Sequence, residues 1–170
     1  MFLNRILVAG CCAAVFAIPA FPQLVKLSPK DKQFLQMAAV SDMTEAHLGQ
    51  MAQGKAAMPG IKDFGQTLVK DHTNAYQELA VLDNKLGQKI PKGINAQRNR
   101  QVEMLTNLKG KKFDAQFLRD EVQDHERTLA AFKHEAQKGQ DPEIKAYANQ
   151  LLPTMEEHLR EAEKLLKNPA

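Results

Sequence analysis

Leu118-Arg119-Asp120-Glu121-Val122-Gln123-Asp124-His125-Glu126-Arg127-Thr128-Leu129-Ala130-Ala131-Phe132-Lys133-His134-Glu135-Ala136 reads as one long amphipathic helix. Leu118, Val122, Leu129, Phe132 and Ala136 fall into a single stripe whose steps alternate between four and three, as the seam of a helical bundle requires. The remaining member of the stripe is His125, a polar group where an apolar one is expected. Glu121 lies one turn earlier on the same face. His134 points to the opposite side and reads as a solvated residue.

Three other stretches repeat this pattern, each with one polar residue in its seam. The first helix opens at Ser28-Pro29-Lys30-Asp31, with Ser as N-cap, Pro at the first helical position and an acid completing a capping-box-like turn. It runs to about Lys55, and its stripe is Phe34, Ala38, Ser41, Glu45, Leu48 and Ala52. His47 faces away from that stripe. After the breakers Gly54 and Met58-Pro59-Gly60, a second helix is predicted from about Pro59 to Leu86. There His72 stands among Ile61, Phe64, Leu68, Ala75, Leu79, Leu82 and Leu86. The last long helix starts at Asp141-Pro142-Glu143 and carries His158 among Ile144, Ala148, Leu151, Met155, Ala162 and Leu165. Pro153 inside it removes an amide donor and crowds the preceding turn, so a kink is expected there. Between the two helix pairs, residues 87–112 read as a crossover, with a short helix over Ile94–Leu108. The expected fold is all-α: two antiparallel helical hairpins joined by that crossover.

The two hairpins also resemble each other at an offset of 83 residues. Phe34-Leu35 matches Phe117-Leu118, and Pro59-Gly60-Ile61-Lys62 matches Pro142-Glu143-Ile144-Lys145. Helix starts favour Pro and apolar spacing recurs widely, so chance similarity and true duplication both remain open.

Composition narrows the function classes. The 170-residue chain is rich in Ala, Leu, Lys, Glu and Gln, has no Trp, and carries a formal charge of +3. So small a charge excludes nucleic acid and acidic membrane as partners suggested by electrostatics. Residues 1–20 read as a secretory signal peptide: Arg5 supplies the positive start, and Ile6 to Ala17 is an apolar run too short to span a bilayer comfortably. Val8-Ala9-Gly10-Cys11 has the look of a lipoprotein box, but too few residues separate it from Arg5 for a working apolar core. Both cysteines, Cys11 and Cys12, lie in this segment. The expected mature protein is therefore periplasmic or secreted, has no membrane span, and has no thiolate for catalysis or metal binding. The expected domain covers residues 28–168.

Glu45, His72, His125 and His158 each sit near the middle of a long helix. In an antiparallel bundle all four fall within about one turn of its midplane. Four unpartnered buried polar groups would cost roughly 1–3 kcal/mol apiece. Three imidazoles and one carboxylate make a first shell for one divalent transition metal, whether zinc, iron, manganese or copper. Glu121 is a candidate fifth ligand or a group that fixes the His125 tautomer. Asp71, Asp124 and Glu157 sit too far round their helices to ligate the same ion and are expected to make supporting or surface contacts. The alternative is a metal-free polar network in a structural or stress-protective bundle that binds another envelope component or a second copy of itself. Nucleophilic catalysis has no support, because no Ser accompanies a seam histidine.

Several of these stretches together carry a family likeness: Phe34-Leu35 followed by Glu45, Lys70-Asp71-His72, Gln123-Asp124-His125, Asp141-Pro142-Glu143-Ile144-Lys145 and Leu152-Pro153-Thr154-Met155-Glu156-Glu157-His158-Leu159. The chain resembles the exported bacterial domain of unknown function family 4142. That resemblance implies a ferritin-like four-helix bundle with a long crossover and no established activity. Di-iron members of the wider ferritin-like group place Glu three residues before His on two helices. Here Val69 and Met155 hold those positions before His72 and His158, which argues against a dinuclear oxidase and for a single ion.

Overall fold

A computed structural model of the chain describes residues 26–168. Among the described residues there are five helices and no strand: α1 (Pro29–Lys55), α2 (Pro59–Lys85), α3 (Ala96–Thr106), α4 (Lys111–Lys138) and α5 (Pro142–Lys167). No helix among them is long and apolar enough to cross a membrane. The expected signal segment, with Cys11 and Cys12, lies outside the described residues.

The helix starts follow local chemistry. The Ser28 hydroxyl accepts from the Asp31 amide at 3.1 Å. Asp141 caps α5 by accepting from the amides of Glu143 and Ile144 at 2.9 and 3.1 Å. Asn95 caps the short helix, which is why α3 begins at Ala96 rather than at Ile94. α5 passes through Pro153 without a break in its helical assignment.

α1 packs along α2, and α4 along α5. The two hairpins meet through α2 on α5 and α1 on α4, while α3 lies against α1 and α4. Two apolar clusters fill the ends of the bundle. One contains Phe34, Leu35, Leu79, Phe132, Ile144 and Tyr147. The other contains Leu48, Ile61, Phe64, Leu68, Phe113 and Phe117. Cluster membership fixes the chain's path: α1 and α5 run from the first cluster to the second, and α2 and α4 run back. Phe113, Phe117 and Phe132 are fully buried, and truncating any one of them would cost about 3–5 kcal/mol.

Within the first hairpin, α1 and α2 come closest where Gly49 faces Gly65. A Cβ on either glycine would lie 2.6 Å from the other's carbonyl oxygen. The helix of the crossover is fastened by a buried carboxylate. Asp124 accepts from Arg98 at 2.7 Å and from Gln101 at 2.6 Å, and also pairs with Arg127. Leu105 is fully buried beneath α3, with Val102 and Leu108 packed beside it.

The repeat at 83 residues is carried into three dimensions. The ends of α1 and α2, displaced by that offset, fall within one residue of the ends of α4 and α5. Asp114 of α4 accepts from the amides of Ala57 and Met58, in the turn between α1 and α2, at 3.0 to 3.2 Å. Asp31 of α1 accepts from the amide of Gln140, in the turn between α4 and α5, at 3.1 Å. Asp31 and Asp114 are equivalent under the offset, and so are Ala57 and Gln140. Each hairpin thus caps the other's turn. The Asp31 carboxylate does not close the local capping box expected from sequence, because that longer-range acceptor role takes it away from Ser28.

Candidate metal centre

The seam residues meet between the two apolar clusters. Glu45, His72, His125 and His158 are all buried, as is Glu121, while His47 and His134 are exposed. The three buried imidazoles form a triangle with ring centroids 5.2 to 5.7 Å apart. One ring nitrogen from each lies within 4.8 Å of the other two. Glu45, Glu121 and His125 form a second such group at the same spacing, so His125 belongs to both.

The hydrogen bonds around the triangle decide which nitrogens point inward. His125 Nδ1 stands 2.9 Å from the Glu121 carbonyl oxygen, which can only accept, so Nδ1 carries the proton and Nε2 the lone pair. His72 Nδ1 is 3.0 Å from Asp42 Oδ1, and His72 Nε2 has no partner. His158 Nε2 is 3.1 Å from Asp71 Oδ2, which leaves Nδ1 facing His125 Nε2 at 3.3 Å. With each outer nitrogen donating, three inner lone pairs converge, and two of them confront each other without a proton between them. Carboxylates or backbone carbonyls behind a histidine are the usual means of fixing an imidazole for a metal.

Charge in the site is unbalanced. Among the described residues no Lys or Arg forms an ion pair with Asp42, Glu45 or Glu121. One oxygen of Glu45 and both of Glu121 lack a hydrogen-bond partner. Burial, and then the neighbouring Glu45, pushes Glu121 well above the ordinary carboxylate range. Burial also raises Asp42, against the Tyr147 hydroxyl that donates to it from 3.5 Å. Burial lowers His72 to about 4, despite the opposing pull of Glu45. His158 falls to about 4 for the same first reason, helped by the two neighbouring imidazoles. His72 and His158 are therefore neutral at pH 7, the form that binds metal.

A gap lined by Ser41, Glu45, His72, His125, Thr128 and Met155 lies at the centre, too tight for a water molecule. This gap joins Glu45 to the imidazole cluster. His158 does not line this gap; its ring stands edge-on to Phe64. The supporting acids fall out unevenly. Asp71 does hold His158 and is the more exposed member of that pair, with 26% of its side chain exposed. Asp124, next to His125 in sequence, turns instead to the crossover. Asp42 was missed by the sequence reading because it flanks the seam beside Ser41, and its only signal is that it stands three residues before Glu45.

Four long helices around a buried, acid-backed imidazole cluster define a helical-bundle protein with an interior donor site. Residues 18–165 match the family described as Domain of unknown function (DUF4142), and the chain belongs to that family. No curated protein matches it. Among solved structures, the chain is similar to a DUF305 fragment from Deinococcus radiodurans, with 17% identity and a TM-score of 0.72 over 83% of this chain and 97% of that one. It is also similar to CopM in its Cu(II)-bound form, with 15% identity and a TM-score of 0.68 over 81% and 96% of the two chains. A conserved hypothetical protein, rv2844, from Mycobacterium tuberculosis gives 13% identity and a TM-score of 0.66 over 83% and 93%. At these identities the likeness is one of fold.

Proposed function

We propose that the chain is an exported protein that sequesters one transition-metal ion inside a ferritin-like four-helix domain, residues 28–168, after removal of a signal peptide at residues 1–20. The ligands are His72 Nε2, His125 Nε2, His158 Nδ1 and a carboxylate oxygen of Glu45. Glu121 supports His125 through its carbonyl. The reading is carried by the orientation of the three rings: each outer nitrogen faces a protein oxygen, with His125 Nδ1 fixed as donor by a carbonyl, and the inner nitrogens are left toward one another. The 3.3 Å between His125 Nε2 and His158 Nδ1 is about the edge of a tetrahedron whose centre is 2.0–2.1 Å from each nitrogen. A cation would also compensate the carboxylates that have no basic partner. Zinc, iron, manganese and copper all suit such donors, and the Cu(II)- and Ag-bound forms of the structurally similar CopM lend support to copper among them. Four protein ligands in a gap closed to water leave no open position for a substrate, which favours storage or structure over hydrolysis.

A metal-free network is the rival. By taking up a second ring proton, His158 could donate to both His125 and Asp71, but that leaves His72 Nε2 buried and unpaired. Metal analysis of protein purified from its native compartment, beside His72→Ala and His125→Ala, decides between them. The expected result is near-stoichiometric metal in the native chain and none in either variant. A folded, metal-free native chain that cannot be loaded would sink the proposal.

A further inference from the structure

The central gap contains one donor of a different chemical kind. Met155 is 3% exposed and lines the gap together with His72, His125 and Glu45. Its place there follows from the repeat. Met155 is the 83-residue counterpart of His72, and Thr128 is that of Glu45; all four line the same gap, which therefore sits on the pseudo-two-fold axis between the hairpins. The counterpart of Asp42 is His125. In the first hairpin Asp42 touches His72, at 3.0 Å. The corresponding neighbours in the second hairpin are His125 and Met155, so the thioether is brought beside the His125 ring by the same backbone arrangement.

Resting on the proposed metal site, we infer that Met155 is a thioether ligand that gives this site its affinity for a soft monovalent ion of the Cu(I) class. Thioether sulfur has little affinity for zinc, manganese or other borderline and hard divalent ions, whereas it suits Cu(I) and Ag(I). Imidazole binds both classes. The gap thus offers two fourth ligands from opposite hairpins: the Glu45 carboxylate from α1 for a divalent ion, and the Met155 sulfur from α5 for a monovalent one. An apolar Leu would fill the same volume with no donor, since Met and Leu exchange in cores at small cost.

The test compares the cysteine-free chain purified from its native compartment, processed past Cys11 and Cys12, with Met155→Leu and Glu45→Gln. Cu(I) affinity is measured by competition with a chromophoric Cu(I) chelator under reducing conditions, and Zn(II) affinity by competition with a zinc indicator. X-ray absorption of the Ag(I)-loaded proteins reports sulfur in the first shell. Met155→Leu is expected to weaken Cu(I) by more than about tenfold, a loss seen even for groups that merely support a ligand, and to leave Zn(II) within about twofold. Glu45→Gln is expected to do the reverse. The Ag(I) spectrum should lose its sulfur contribution in Met155→Leu alone. Cu(I) binding by Met155→Leu within about twofold of the native chain, or no sulfur around Ag(I) in the native chain, would overturn the role of Met155 while leaving the metal site standing. Failure of the native chain to bind either ion would overturn both.

Discussion

At the scale of single residues, the site is a balance between burial and protonation. His72 and His158 are held near 4 by burial, against an ordinary value of 6.5. A histidine with a depressed folded-state pKa contributes stability that is fully present above the unfolded value, and is lost as pH falls through 6.5 toward 4. Buried carboxyls with raised values, such as Glu121 and Asp42, act in the opposite sense, so the raw pH curve mixes the two. The difference between the native chain and His72→Gln, both freed of metal by chelation, isolates one imidazole. Chemical denaturation should show the variant gaining on the native chain by roughly 3 kcal/mol as pH drops from 7 to 4. A difference that stays flat over that range would mean His72 is solvated or already charged at neutral pH. Metal binding should weaken over the same range, because protons and the ion compete for the same inner nitrogens.

At the scale of elements, the first hairpin depends on missing side chains as well as on present ones. Gly65→Ala would place a methyl 2.6 Å from the Gly49 carbonyl and 2.9 Å from the Ala52 Cβ, so α1 and α2 must separate. The expected loss is about 1–3 kcal/mol, read as a lower midpoint in thermal or urea unfolding. An unchanged midpoint would show that the crossing has slack. The helices themselves were largely legible in the sequence, since period, caps and breakers are local signals: Ser28, Pro29, Pro59, Asp141 and Pro142 stand where helices begin. His72, His125 and His158 were legible for the same reason, as polar interruptions of an apolar seam. What escaped was the pairing of the acids beside the seams. Asp42 flanks its seam and looks like an ordinary surface acid, while Asp71 makes the supporting contact expected of it, but to His158 of a different helix. Asp124 looks like a partner for His125 but is claimed by Arg98, 26 residues away. Asp31 looks like part of a local cap and instead reaches 109 residues to Gln140.

At the scale of the whole molecule, the reciprocal caps make the two hairpins mutually dependent. Asp31 and Asp114 satisfy backbone amides that would otherwise be left without partners in the opposite hairpin's turn. These caps do not run through the crossover loop, where Lys89, Lys92 and Gly93 are exposed and where α2 holds the backbone of Ile90 and Pro91 through Asp83 and Tyr76. Protein nicked within residues 88–94 should therefore stay together as a one-to-one complex in native size-exclusion chromatography and separate only under denaturing conditions. Dissociation under native conditions would show that the interface between hairpins is too weak to hold without the tether.

The offset of 83 residues also explains why the central site is lopsided. Two identical hairpins pairing as separate chains would be bound by symmetry to place the same residue at both members of each equivalent pair. A ligand set built on their shared axis could then only be doubled, never mixed. In one continuous chain the pairs have parted: Asp42 answers to His125, Glu45 to Thr128, His72 to Met155, and Ala75 to His158. Within a single chain each member of a pair is free to differ from its counterpart. Nitrogen-, oxygen- and sulfur-bearing side chains can then line one gap, a combination closed to a symmetric pair of identical hairpins.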